Sequence, residues 1–168
     1  MFPPIPPWEG IHPVIVHFPI ALLLVTPVFL LLSFLPKVGR CFSYGGMVLM
    51  IVGTAMAYVA VASGEAGAQL VVRTPELSKV LKEHEESGET VRVLFTILTV
   101  VYVAILIAPF VLKKAGWPKR GLPGIATVVT RVVFLVAFLA CELAVAQTGH
   151  LGGLLVHQFG VQAWLGGS

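Results

Sequence analysis

Residues 10–36, 41–64 and 93–112 contain no Lys, Arg, Asp or Glu, and about 20 apolar residues carry a helix across the hydrocarbon core of a bilayer. These stretches predict three membrane-spanning helices, at about 14–35, 44–62 and 92–112. A fourth, at about 125–147, is equally long and apolar but holds Arg131 and Glu142. Beyond it, residues 151–168 carry no charge, and Leu154, Leu155, Val156, Phe159, Val161, Trp164 and Leu165 are too apolar for a free tail. That segment is expected to lie along the membrane interface or against another subunit. The expected architecture is all-α: a polytopic four-transmembrane-helix bundle forming one domain over 1–168.

The connection between the second and third spans has its own pattern. Thr74 followed by Pro75 makes a helix start, with the proline at the first helical position. Leu77, Val80, Leu81 and His84 then recur at i, i+3, i+4 and i+7, while Lys79, Lys82, Glu83 and Glu86 fall elsewhere on the cylinder. This predicts a short amphipathic helix on the membrane surface, apolar stripe down, that aims His84 toward the bundle.

Composition agrees with a life in lipid. Charged residues make up 11% of the 168, against roughly 25% in soluble domains, and mean hydropathy is +0.95. Cys41 and Cys141 stand alone, with no C-x-x-C or C-x-x-C-H, which leaves a disulfide framework, a zinc ribbon and covalent c-type haem without support. The net charge of +3 does not point to nucleic acid, because the basic residues flank the spans and act as topology signals. Lys37 and Arg40 lie between spans one and two, and Lys113, Lys114, Lys119 and Arg120 between three and four. Between two and three, Glu65, Glu76, Glu83, Glu85, Glu86 and Glu89 outweigh Arg73, Lys79, Lys82 and Arg92. Both termini and the two-three connection are therefore expected on the outer, periplasmic side of a prokaryotic cytoplasmic membrane, with Trp8 and Trp164 at the outer interface and Trp117 at the inner one. The opening MFPPIPPWEG lacks the cationic start and small-residue cleavage site of a signal peptide, so the first span is expected to be retained.

The histidines carry the candidate chemistry. Topology places His12, His17, His84, His150 and His157 at one end of the bundle, and ionisable residues in or against a membrane are costly and mark function by default. His12 precedes Pro13 at the helix entrance and could also serve as a solvated cap; His17 sits within an apolar run where an unpaired imidazole has little reason to be. His150 and His157 are seven apart, on one helix face within about 20° and about 10 Å apart along the axis. Gly149, Gly152 and Gly153 beside them would let a flat, bulky group approach the backbone, or serve as a small-residue helix seam. Imidazole serves zinc, copper and haem iron alike. An apolar, glycine-thinned slot between helices suits bis-histidine haem better than a structural zinc ion. Five histidines allow one or two haems b, and His17 with His150 is the simplest pair.

Among the other polar residues, Glu142 is either a proton-carrying or quinone-contacting group or is hydrogen-bonded to Thr54, Tyr58 or Tyr102. Arg131 is expected to snorkel to the inner interface. Arg73, Lys82 and Arg92 are candidates to pair with haem propionates.

The stretches His12-Pro13-Val14-Ile15-Val16-His17-Phe18-Pro19-Ile20-Ala21-Leu22, Ser63-Gly64, His84-Glu85 with Gly88, and Thr148-Gly149-His150-Leu151-Gly152-Gly153 together resemble a prokaryotic family of four-span membrane proteins catalogued as a domain of unknown function. Its members are similar in size and often fused or adjacent to redox modules. The resemblance implies a membrane cytochrome b with ligands among His17, His84, His150 and His157, and with His12 in the same motif as His17. The expected function is electron transfer rather than catalysis, in a homo-oligomer or redox complex with a quinone or cytochrome c partner. Two rivals stand beside it: a subunit that handles quinone or a metal ion, and a cofactor-free structural subunit of a respiratory or photosynthetic complex.

Overall fold

The computed structural model describes residues 6–115 and 124–162. After a single 3-10 turn at Trp8–Gly10, five helices follow: α1 (His12–Ile15), α2 (His17–Leu32), α3 (Gly39–Ala68), α4 (Pro75–Lys114) and α5 (Gly124–His157). Four units, His12–Leu32, Gly39–Ala68, Pro75–Val111 and Gly124–His157, are long and apolar enough to span a membrane. Each of α2 to α5 packs on the next in chain order, and α2 also meets α5, which closes a four-helix bundle. Among the described residues there is no strand.

Proline explains why the first span is built in two pieces. Pro19 has no N–H to give the carbonyl of Ile15, and α1 ends at that residue before α2 resumes at His17. The turn into α3 is equally dictated, because a Cβ on Gly39 would collide with the main-chain oxygen of Ser33. The same oxygen accepts a hydrogen bond from Arg131 Nη1 at 3.0 Å. Arg131 thus satisfies a carbonyl at the end of α2, which no residue further along that helix can reach.

Leu23, Met50, Phe95 and Phe138, one from each long helix, are the fully buried apolar anchors of the core. Phe95 meets Phe138 edge-on at 5.2 Å, and Tyr102 stacks on Phe134 at 4.9 Å, separations at which aromatic pairs add to simple burial. Lipid is as apolar as a leucine side chain, so close approach and interhelical hydrogen bonds hold membrane helices together. Both are present. A Cβ on Gly53 would lie 3.0 Å from Leu23 Cδ2, and the Thr54 and Thr99 hydroxyls are 2.8 Å apart between α3 and α4.

Two expectations are corrected here. The amphipathic segment after Pro75 is helical with the expected stripe inward, but it is not a separate surface helix. It continues unbroken into the third span as a helix of 40 residues, about 60 Å long, twice the roughly 30 Å of a hydrocarbon core. Its lone Gly88 costs only about 1 kcal/mol in a helix and does not end one. Leu77 and Leu81 are buried against Ala68 and Leu155, with Val71, Val80, Phe159 and Val161 around them. The stripe therefore meets protein instead of lipid. For the same reason α5 runs on to His157, and Leu155, Phe159 and Val161 pack within this chain. Trp117, Lys119, Arg120, Trp164 and Leu165 lie outside the described residues.

Candidate functional site: the paired histidines

At the end of the bundle capped by this second cluster, two imidazoles from different helices face each other. His12 rides on α1 and reaches α3, where its Nδ1 lies 2.8 Å from the carbonyl oxygen of Ala60 and 3.3 Å from Ser63 Oγ. His84 projects from α4 to α5, with Nδ1 3.1 Å from the carbonyl oxygen of Thr148. A carbonyl only accepts, so Nδ1 carries a proton in both rings, and in the neutral form Nε2 keeps its lone pair. Neither Nε2 has a hydrogen-bond partner among the described residues. The ring centres are 6.3 Å apart with planes crossing at 86°.

The seat of each ring is cut out of its neighbour by a glycine. A Cβ on Gly64 would lie 2.9 Å from His12 Cε1, and one on Gly152 would lie 3.2 Å from His84 Cε1. Behind His84, the Thr148 hydroxyl donates to the Ala144 carbonyl at 2.8 Å and accepts from Ser87 Oγ at 2.6 Å. Ser87 is one turn beyond His84, so α4 grips Thr148 through its main chain and its side chain together. Ser63 and Ser87 were not singled out by spacing or composition; Ser63-Gly64 and Thr148 enter the sequence reading only through the family-like motifs.

The other candidates are placed differently. His17, His150 and His157 are exposed on the single chain, and none has a ring contact or hydrogen bond among the described residues. His17 and His150, the pair expected from depth, are not brought together as His12 and His84 are. Open space surrounds Gly149 and Gly153, so of the three glycines only Gly152 touches a histidine. Arg73 donates to the Ala68 carbonyl at 3.4 Å, Lys82 lies 3.6 Å from Glu86, and Arg92 pairs with Glu89 beneath a face of Tyr58, 5.2 Å from its ring centre. All three cations considered for propionates already have protein partners. Among the described residues no three His, Cys, Asp or Glu side chains gather as a metal-ion site, and both cysteines are free.

Of the two alternatives for Glu142, the hydrogen bond to Thr54, Tyr58 or Tyr102 is not formed. Thr54 is paired with Thr99, Tyr58 with Thr96, and Tyr102 donates to the Ser43 carbonyl. The Glu142 Oε1 atom is buried and has no partner among the described residues.

Residues 9–164 match DUF2231, a family described as a predicted membrane protein. The chain belongs to this family. No curated protein and no solved structure matches it. The match covers both halves of the histidine pair and the two glycines that seat them.

Proposed function

We propose that this protein is a membrane-embedded b-type cytochrome that passes electrons at the outer face of a prokaryotic cytoplasmic membrane, with His12 and His84 as the paired imidazoles. The observation that carries this reading is the pair itself. The centres of the two rings are 6.3 Å apart, each ring with Nδ1–H committed to a main-chain carbonyl and with Nε2 unpartnered among the described residues. Metal-binding histidines characteristically donate their second ring nitrogen in this way, which fixes the tautomer and the ring plane and strengthens the ligating nitrogen. His12 and His84 would hold the metal through their Nε2 nitrogens. Two oriented imidazoles, with no third His, Cys, Asp or Glu gathered beside them among the described residues, are a donor set that suits haem b.

When bound, haem b supplies a one-electron iron couple whose potential follows its axial ligands and their second-shell hydrogen bonds. The chain's own contribution is positional. Ala60 and Thr148 orient the two rings, Gly64 and Gly152 leave them room, and Leu77, Leu81 and Leu155 pack together further toward the helix ends than His84 and Gly152. One such pair per chain supports one haem. The exposed His17, His150 and His157 would ligate a second only with groups from another subunit.

A second reading rests on the same hydrogen bonds. His12 ties α1 to α3 and His84 ties α4 to α5, a latch that would serve a cofactor-free structural subunit. The absorption spectrum of detergent-purified protein separates the two. A dithionite-reduced b-type α band, lost on replacing His12 or His84 by Ala, is the expected result. Colourless, metal-free protein overturns the cytochrome reading and leaves the latch.

A further inference from the structure

Glu142 is the one carboxylate within the apolar spans, and its position is defined from both sides. Phe138, one turn earlier, closes the aromatic core on Phe95. Thr148, six residues later and about 9 Å along the axis, holds His84. Phe138, Glu142 and Val145 fall at i, i+4 and i+7, the stripe of α5 whose first and last members are buried in the core. The half-buried Glu142 thus lies at the level of the core, less than two turns from Thr148, with its Oε1 atom buried and unpartnered among the described residues.

A carboxylate held there has two ways to avoid an unpaired buried charge: a fixed cation or a proton. The helices packed against α5 are α4 and α2. Their charged or titratable groups in this half of the bundle include Lys82, His84, Glu85, Glu86, Glu89 and Arg92 on α4 and His17 on α2, with Lys82 paired to Glu86. Arg92 is taken by Glu89 and the face of Tyr58, His84 by Thr148, and His17 is exposed. None forms an ion pair with Glu142. On the same helix Arg131 is eleven residues away and engaged at Ser33. Among the described residues no cation is provided, so the partner the site can take is a proton.

We propose that Glu142 is the proton-binding group coupled to reduction of a haem b held by the histidine pair, an inference that rests on the cytochrome reading above. An electron delivered by a one-electron donor protein to the ferric iron of the haem b that His12 and His84 would hold would make the low-dielectric interior more negative, which favours proton binding nearby. One electron enters, one proton from the aqueous phase at the histidine end forms an O–H bond on the Glu142 carboxylate, and both leave on re-oxidation. The net charge of the buried unit stays constant through the cycle.

The test is a redox titration of the purified haem protein across pH, beside labelling with the lipid-soluble dicyclohexylcarbodiimide. In the wild type the midpoint potential should fall by about 59 mV per pH unit over the coupled range, the tenfold change in proton concentration converted at one electron. Glu142→Gln, which keeps the shape and removes the proton site, should flatten the slope, while Glu142→Asp and His17→Ala should retain it. Carbodiimide should add once, at Glu142, and flatten the wild-type slope, which supplies the same comparison if the Gln variant does not assemble. Equal slopes before and after removal or modification of the carboxyl overturn the coupling alone. Colourless protein overturns the cytochrome reading and the coupling together. Absence of a carbodiimide adduct at Glu142 overturns its role as a proton-binding group whatever the haem content.

Discussion

His84 donates from Nδ1 to the main-chain oxygen of Thr148, 64 residues later in the chain and 3.1 Å away, and the Gly152 Cα turns toward the same ring without a side chain to obstruct it. Ring, acceptor and clearance thus come from two helices whose relative register must be set before the site exists.

The clearance leads to a graded prediction. Gly64→Ala puts a methyl 2.9 Å from His12 Cε1 and Gly152→Ala one 3.2 Å from His84 Cε1, whereas Gly153→Ala meets nothing within 4 Å. Overpacking costs about 1–3 kcal/mol, while Gly to Ala in a helix with room gains about 0.5–1 kcal/mol. Denaturation in detergent should rank Gly64→Ala least stable, Gly152→Ala next, and Gly153→Ala at or above wild type. Equal effects at 152 and 153 would contradict the assignment of Gly152 to the histidine seat.

Ligation gives the second prediction. His12→Ala and His84→Ala should each lose haem or leave a five-coordinate iron, because axial imidazoles hold a non-covalent haem in a bundle. His17→Ala and His150→Ala, both exposed, should keep a low-spin spectrum and full haem content. The opposite pattern, read from pyridine haemochrome content and the reduced spectrum, would move the site to His17 and His150.

A third prediction concerns the bridge between α3 and α4. Thr54→Val removes one partner of the 2.8 Å hydroxyl pair with Thr99. Interhelical hydrogen bonds in membranes contribute about 0.6 kcal/mol on average and about 1.7 kcal/mol at most. A double-mutant cycle with Thr99→Val should yield a coupling within that range, and zero coupling would mean the two hydroxyls do not share a bond in the membrane.

The orientation is checked by labelling. In a chain freed of Cys41 and Cys141, a cysteine replacing the exposed Glu83 should react with a membrane-impermeant maleimide in intact cells, and one replacing Lys37 only after lysis. Labelling at 37 alone would turn the bundle over.

The four spans were legible because a charge inside hydrocarbon is prohibitive, so an uncharged run of residues marks lipid directly. That criterion locates where lipid ends and says nothing about where a helix ends. The segment after Pro75 carries its stripe at the right spacing, yet whether the stripe meets lipid or protein depends on how far α3 and α5 project. They reach Ala68 and His157, and the cap forms. The histidine pairing was only half legible. Depth follows from residue number, which brings all five to one end. Azimuth follows from rotation about the axis, and five residues turn a regular helix by about 140°. His12 and His17 therefore cannot both face inward, and Pro19, which divides α1 from α2, leaves His12 free to take the inward position.

Both acceptors at the site are peptide oxygens, of Ala60 and Thr148, and this governs what kinds of genetic change the site can absorb. Replacing either side chain leaves its carbonyl in place, so the two main-chain ties survive a change of letter at their own acceptors, although at 148 that change also removes the hydroxyl bonded to Ser87. Insertion or deletion is another matter. One residue added between Phe138 and Thr148 would carry the acceptor about 100° around the helix and 1.5 Å along it, while the aromatic contact at Phe138 kept the rest of α5 in register. Descendants of this sequence can thus keep the two main-chain ties through a change of letter at 60 or 148, but not through a change in the count of residues that separates 148 from the core.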